Sequence, residues 1–170
     1  MTSLPSELYL FLLVELAAVA WLDLKYRKIS NVWVILNIVL FIFAYFILKG
    51  RFVFQLQQMY YPFIFFIVGF AFYTLKIMGG GDSKFLVSIY LLTPLGFHED
   101  FLFCLLYVTI IVGMSQFSYN TYVGRNHLSA FWRSRDVTYL KKCYGKKFPF
   151  APIILLSWII FGMNNILLIN

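Results

Sequence analysis

Six apolar runs take up most of this 170-residue chain, and no soluble architecture accommodates them. They read as 8–24, 32–48, 60–77, 85–97, 101–117 and 152–169. A membrane-crossing helix needs about 20 mostly apolar residues, so a chain of this length holds six or seven spans and little else. The runs are apolar all round and carry no polar stripe, which suits helices facing lipid and one another better than helices lying on a surface. Composition agrees. Hydrophobic residues make up 62% and charged residues 12%, where a water-facing domain has about 45–50% and about 25%. Twenty Phe and twelve Tyr exclude a disordered chain. The expectation is an all-α, polytopic membrane bundle of about six transmembrane helices, a single domain over 1–170.

Basic residues set the expected orientation, because Lys and Arg are retained on the cytoplasmic side. Twelve of the fourteen fall on alternate connections: Lys25, Arg27 and Lys28; Lys76 and Lys84; and Arg125, Arg133, Arg135, Lys141, Lys142, Lys146 and Lys147. The remaining two, Lys49 and Arg51, lie on the other side with His98, Glu99 and Asp100. Both termini are therefore expected outside and the basic connections in the cytoplasm. The first run follows only seven residues and lacks a basic n-region and cleavage site, so it reads as a retained span. The net charge of +7 needs no nucleic acid, since anionic lipid headgroups account for it. Segment 126–144, with Leu128, Phe131, Trp132, Val137 and Leu140 among basic residues, fits a helix lying at the lipid interface.

Few groups could carry chemistry. Cys104 and Cys143 have neither CxxC nor Cys/His spacing and imply no metal site and no disulfide. His98 falls on the outer side, and His127 has no nucleophile beside it. Carboxylates near apolar spans are costly and call for a reason. Glu15, Asp23 and Asp82 qualify. Glu15 fits either a polar cavity or a partner on a neighbouring span. Asp23 ends the first span. Asp82 opens the fourth, after two further crossings, so the two aspartates share a depth. Brought together, two carboxylates hold one proton between them. The ionised one can then activate water while the other polarises a carbonyl, with no cofactor and no metal. Gly79-Gly80-Gly81 before Asp82 admits positive φ or the close approach of another backbone. A plain helix start with Asp82 as N-cap explains the same residues, as an interfacial charge beside Lys25 explains Asp23. On physical grounds alone both readings stand.

The motifs resemble those of the type IV prepilin peptidases. Gly79-Gly80-Gly81-Asp82 reads as their GxGD motif, followed by Ser83-Lys84. Asp23-Leu24-Lys25-Tyr26-Arg27-Lys28-Ile29-Ser30-Asn31 is similar to their first motif, an aspartate followed by I-P-N, with Ser30 in place of the proline. Phe148-Pro149-Phe150-Ala151-Pro152 is similar to the entry to the last span. Leu22 stands where presenilin-like GxGD proteases usually have tyrosine.

The resemblance implies that Asp23 and Asp82 are catalytic, with Gly79, Gly80, Gly81, Lys84 and Asn31 shaping the site. Asn31 is expected to cap the second span or hold the loop, and Lys84 to snorkel, to tune Asp82 or to pair with an acidic group on the substrate. The implied substrate is a pilin-like precursor, cut at the cytoplasmic membrane face. The CxxC domain of larger, methylating members is missing from this sequence. A compact peptidase without methyltransferase activity is therefore expected, similar to the Flp/Tad and archaeal preflagellin forms. The competing reading is a catalytically silent assembly factor or small transporter, whose glycines and Asp82 line a cavity or ion path.

Overall fold

A computed structural model of the chain describes residues 6–47, 56–74, 78–125 and 149–167. Among them are six α-helices and no strand: α1 (Ser6–Tyr26), α2 (Asn31–Ile47), α3 (Tyr60–Thr74), α4 (Gly80–Leu92), α5 (His98–Val123) and α6 (Ala151–Leu167). Two short 3₁₀ turns, Leu56–Met59 and Leu95–Phe97, precede α3 and α5. Each apolar run of the sequence has become one helix. The interfacial segment expected over 126–144 lies outside the described residues.

The fourth element departs most from the sequence reading. Apolar character begins at Phe85, yet α4 begins at Gly80. The Gly79 N–H donates to Asp82 Oδ2 at 3.1 Å, and the Asp82 and Ser83 amides reach back to the Gly79 carbonyl. This reciprocal cap draws polar residues into the first turn. Thr93 and Pro94 then close the helix five residues earlier than the apolar run suggests. Thirteen residues span about 20 Å, less than the roughly 30 Å of a bilayer's hydrocarbon core. One helical stretch, Leu95–Val123, is by itself long and apolar enough to cross a membrane, and Asn31–Ala44 and Ala151–Asn164 are shorter apolar helices.

Most described residues belong to one compact unit, 1–105 with 149–170. In it α1 packs on α6, while α4 packs on α2 and α3. The buried stripe of α1 is Tyr9, Leu12, Glu15, Leu16, Val19, Ala20 and Asp23, a helical period that includes two carboxylates. The sequence reading foresaw no polar stripe here. Leu10, Val14 and Trp21 on the same helix are exposed, as are Phe63, Phe66 and Phe70 on α3. Asn37, Ser88, His98 and Ser157 are buried. Beside an apolar core, these buried polar groups and so many exposed large apolar side chains set the bundle apart from a water-facing domain.

Contacts fix the helix directions. Tyr9 stacks on Trp158 with ring centroids 5.6 Å apart, and Asp23 meets Ala151 at the other end, so α1 and α6 are antiparallel. Gly69 touches Ser83, and Phe65 stacks on Tyr90, so α3 and α4 are antiparallel. Ile29 lies on Gly81 and Asn37 bonds Ser88, so α2 runs parallel to α4. At the end away from the aspartates, Tyr90, Phe101, Trp158 and Phe161 form an aromatic cluster. There the terminal carbonyls of α4 are satisfied by side chains. Gln58 Nε2 donates to Leu91 O at 3.1 Å, and His98 Nε2 donates to Thr93 O at 2.7 Å.

The second unit, 106–148, contributes the rest of α5 to the described residues. Its Ser115 and Thr121 hydroxyls donate one turn back, to Ile111 O and Phe117 O.

The α3–α4 crossing yields a test. A Cβ at Gly69 would fall 2.6 Å from Ser83 Cβ, whereas nothing lies within 4 Å of one at Gly113. Gly69→Ala is expected to destabilise the protein by about 1–3 kcal/mol, read as a lower melting temperature in detergent. Gly113→Ala should melt no lower than wild type, and equal melting of the two variants would contradict this packing.

Candidate active site

Asp23 sits in the last turn of α1 and is 4% exposed. Its Oδ2 accepts a hydrogen bond of 3.2 Å from the backbone N–H of Ala151, the first residue of α6. Helix N-termini leave such N–H groups unpaired and carry partial positive charge, so a carboxylate is a fitting partner. Pro152 follows in the first turn, where its missing N–H costs nothing, and Ile153 and Ile154 both donate to Phe150 O. The proline-flanked entry to the last helix thus has a physical role: it presents an N–H to Asp23.

The chain leaves α1 through Arg27, whose φ of 51° is the positive value among the described non-glycine residues. The Arg27 N–H donates to Asp23 O at 2.7 Å and closes the helix. A left-handed residue with a Cβ is held at a cost of roughly 1–2 kcal/mol. The sequence offers no glycine to mark this turn.

From the sequence, Asn31 is expected either to cap the second helix or to hold the loop after Asp23. The structure gives the cap to Ser30, whose Oγ accepts from the Val32 N–H at 3.3 Å while its carbonyl accepts from Trp33. The residue that replaces the proline therefore supplies a side-chain cap that proline could not. Asn31 is the first helical residue and is exposed.

Asp82 occupies the third position of α4, not the N-cap, which is Gly79. The glycines also act differently from one of the two roles expected of them. None of the described glycines has positive φ. They serve close approach instead. A Cβ on Gly81 would lie 3.0 Å from Ile29 O, one on Gly80 3.3 Å from the Tyr73 ring, and one on Gly79 2.8 Å from Asp82 Oδ2. Lys84, two residues after Asp82, is exposed.

These contacts bring the two motifs together. Ile29, six residues after Asp23, is 7% exposed and rests on Gly81, the residue before Asp82. Because α2 is parallel to α4 and follows α1 directly, both aspartates stand at the same end of the bundle. His98 is at the opposite end and Cys104 lies beyond it on α5. Among the described residues no three His, Cys, Asp or Glu side chains gather as a metal site requires. Glu15 is buried two turns inside, beside Asn37. Sequence reasoning missed Asn37 and Ser88, although a polar residue within an apolar run was the signal for both.

Two carboxylates, each served by a backbone N–H at a helix N-terminus, thus stand at one end of an all-helical bundle. The profile of the type IV leader peptidase family matches residues 10–116, which include both aspartates, most of α1 and all of α2 to α4. The chain belongs to that family and is a type IV leader peptidase-like protease. No curated protein and no solved structure matches it.

The cap predicts a separation of structure from chemistry at Asp23. Asp23→Asn keeps an oxygen for the Ala151 N–H and should melt close to wild type. Asp23→Ala strands that N–H and should cost about 0.5–2 kcal/mol. Equal melting temperatures for wild type and Asp23→Ala in detergent would show that the carboxylate does not hold α6.

Proposed function

We propose that this protein is a polytopic membrane aspartic endopeptidase that removes the leader peptide from type IV pilin-like precursors. The observation that carries the reading is the packing of Ile29 on Gly81, which sets the ends of the Asp23 and Asp82 motifs against each other. The distribution of side chains supports a lipid setting, with buried Glu15, Asp23 and Asn37 and with exposed Leu, Val, Ile and Phe on α1, α2 and α3. Burying polar groups in a bundle while apolar groups face outward stabilises a protein in hydrocarbon, not in water. The bundle spans the cell inner, or cytoplasmic, membrane in several passes, and α4 is accommodated by local thinning.

Lys25, Arg27, Lys28 and Lys84 are exposed at the same end as the two aspartates. Positive charge stays on the cytoplasmic side, so the site opens at the cytoplasmic membrane face and both termini lie outside. These cations also suit anionic lipid headgroups. A pilin-like precursor presents its leader and the start of its apolar helix at that depth.

The chemistry needs only the two side chains and water. Asp23 and Asp82 share one proton. The ionised carboxylate takes a proton from water as its oxygen bonds to the scissile carbonyl carbon, and the other carboxyl gives its proton to the carbonyl oxygen. Collapse of the tetrahedral species breaks the C–N bond, and a proton returned to the nitrogen releases the shortened precursor. Gly79, Gly80 and Gly81 let Tyr73 and Ile29 close on the first turn of α4 and so hold Asp82 in place, while Ser30 and Asn31 hold the loop after Asp23. Lys84 remains in water at the rim and meets the acidic groups of the substrate. No cofactor or metal takes part, and no methyl group is transferred to the new N-terminus.

The test is co-expression with a pilin-like precursor, comparing wild type with Asp23→Asn and Asp82→Asn at equal membrane abundance. Loss of a group that transfers protons costs about 100-fold or more in rate, so each variant should leave the precursor uncut. Mass spectrometry of the wild-type product should show a free, unmethylated N-terminus. Cleavage by either variant at the wild-type rate would remove the two-aspartate mechanism and favour a silent assembly factor or transporter.

A further inference from the structure

Glu15, Asn37 and Ser88 meet inside the bundle, and the proposed cleavage makes no use of them. They are 4%, 0% and 1% exposed. Each lies on a different helix: α1, α2 and α4. The Ser88 hydroxyl donates to Phe85 O at 2.7 Å, and its Oγ accepts from Asn37 Nδ2 at 3.1 Å. The Glu15 carboxyl lies beside the Asn37 side chain. Even so, neither Glu15 oxygen nor Asn37 Oδ1 meets a donor at bonding geometry among the described residues.

Donor arithmetic resolves the cluster. The Ser88 hydrogen is committed to Phe85, which makes its oxygen an acceptor and turns the Asn37 amide nitrogen toward it. Asn37 Oδ1 then faces away and needs a donor. A carboxylate offers acceptors alone, whereas a carboxyl that keeps its proton offers one O–H. A proton on Glu15 would complete one directed chain, from Glu15 to Asn37, to Ser88 and to Phe85 O, each bond polarising the next.

The position of this chain gives it a use. Glu15 is eight residues before Asp23, about 12 Å along α1, and Ser88 is six residues after Asp82, about 9 Å along α4. The two helices run in opposite directions, so both distances are measured inward from the same end. They agree to within one turn. Helix α1 packs mainly on α6, and α4 packs on α2 and α3. Asn37 therefore ties the Asp23 helix to the Asp82 helix two turns beneath the aspartates.

We infer that Glu15 is a positioning residue for the Asp23–Asp82 pair, acting as a neutral hydrogen-bond donor through Asn37 and Ser88; the inference rests on the two-aspartate reading. The variants are Glu15→Gln, which keeps a donor of the same shape, Glu15→Leu, which removes it, and Ser88→Ala, a smaller lesion at the other end of the chain. Two readouts are taken on the full-length protein in nanodiscs. The first is precursor cleavage. Glu15→Leu should lower kcat by about 10-fold or more with KM little changed, because misplacement of reacting groups acts on the chemical step. Glu15→Gln should restore kcat. The second readout does not need activity: a pulsed-EPR distance between spin labels at Lys25→Cys and Lys84→Cys, with Cys104 and Cys143 replaced by serine. The distribution should be narrow in the parent and in Glu15→Gln, and broader or shifted in Glu15→Leu and Ser88→Ala.

Unchanged kcat and an unchanged distance in Glu15→Leu would overturn the inference, as would failure of Glu15→Gln to restore them. Should wild type leave the precursor uncut, the peptidase reading fails, and the distance alone decides the positioning claim.

Discussion

A buried carboxylate in an apolar bundle is stable only where a donor has been built for it. For Asp23 that donor is the Ala151 N–H, 128 residues away in sequence. The bond satisfies both parties, since Asp23 is 4% exposed and the first N–H of a helix has no intrahelical acceptor. It also pins the last helix against the first. At the far end of the same helix pair, Trp158 Nε1 donates to Tyr9 O at 3.3 Å, and Gly162 lets the Tyr9 ring pass. One electrostatic contact and one aromatic contact thus fix both ends of α1, and with them the direction in which Asp23 is presented.

The second aspartate is held by shorter-range means. Asp82 takes its donor from Gly79 within its own helix turn. That turn is then brought to the α1–α2 connection by the bare faces of glycine. Gly69 seats Ser83, whose hydroxyl donates back to Gly69 O at 3.2 Å, and Gly81 seats Ile29. Small residues at such crossings let backbones close up. The run of three glycines is thereby explained without any left-handed backbone. Each lacks a side chain because a different neighbour occupies the space: the Asp82 carboxylate, the Tyr73 ring and the Ile29 carbonyl.

Much of this was legible in the sequence, and the rest was hidden for identifiable reasons. Apolar runs found all six helices, because hydrophobic length is a one-dimensional signal. The apolar run alone starts five residues after α4 does, because the Asp82 cap draws the polar residues Gly80–Lys84 into the helix. Of the two roles open to Asn31, the cap belongs to Ser30 instead, since either residue type suits it and a shift of one position does not show in the sequence. The aspartates and glycines stood out by motif. Their partners did not, because Ala151 offers only backbone and Ile29 only bulk. Asn37 and Ser88 were visible as polar residues in apolar runs, but nothing local says that they bond each other.

The central claim is that Asp23 and Asp82 share one site. The most direct measurement is chemical cross-linking of Asp23→Cys with Asp82→Cys, with both native cysteines replaced by serine, in native membranes and with a short bismaleimide. The account predicts efficient intramolecular bridging, blocked by prior alkylation of either cysteine. Cysteines that each react with a single-headed maleimide but never bridge would contradict it.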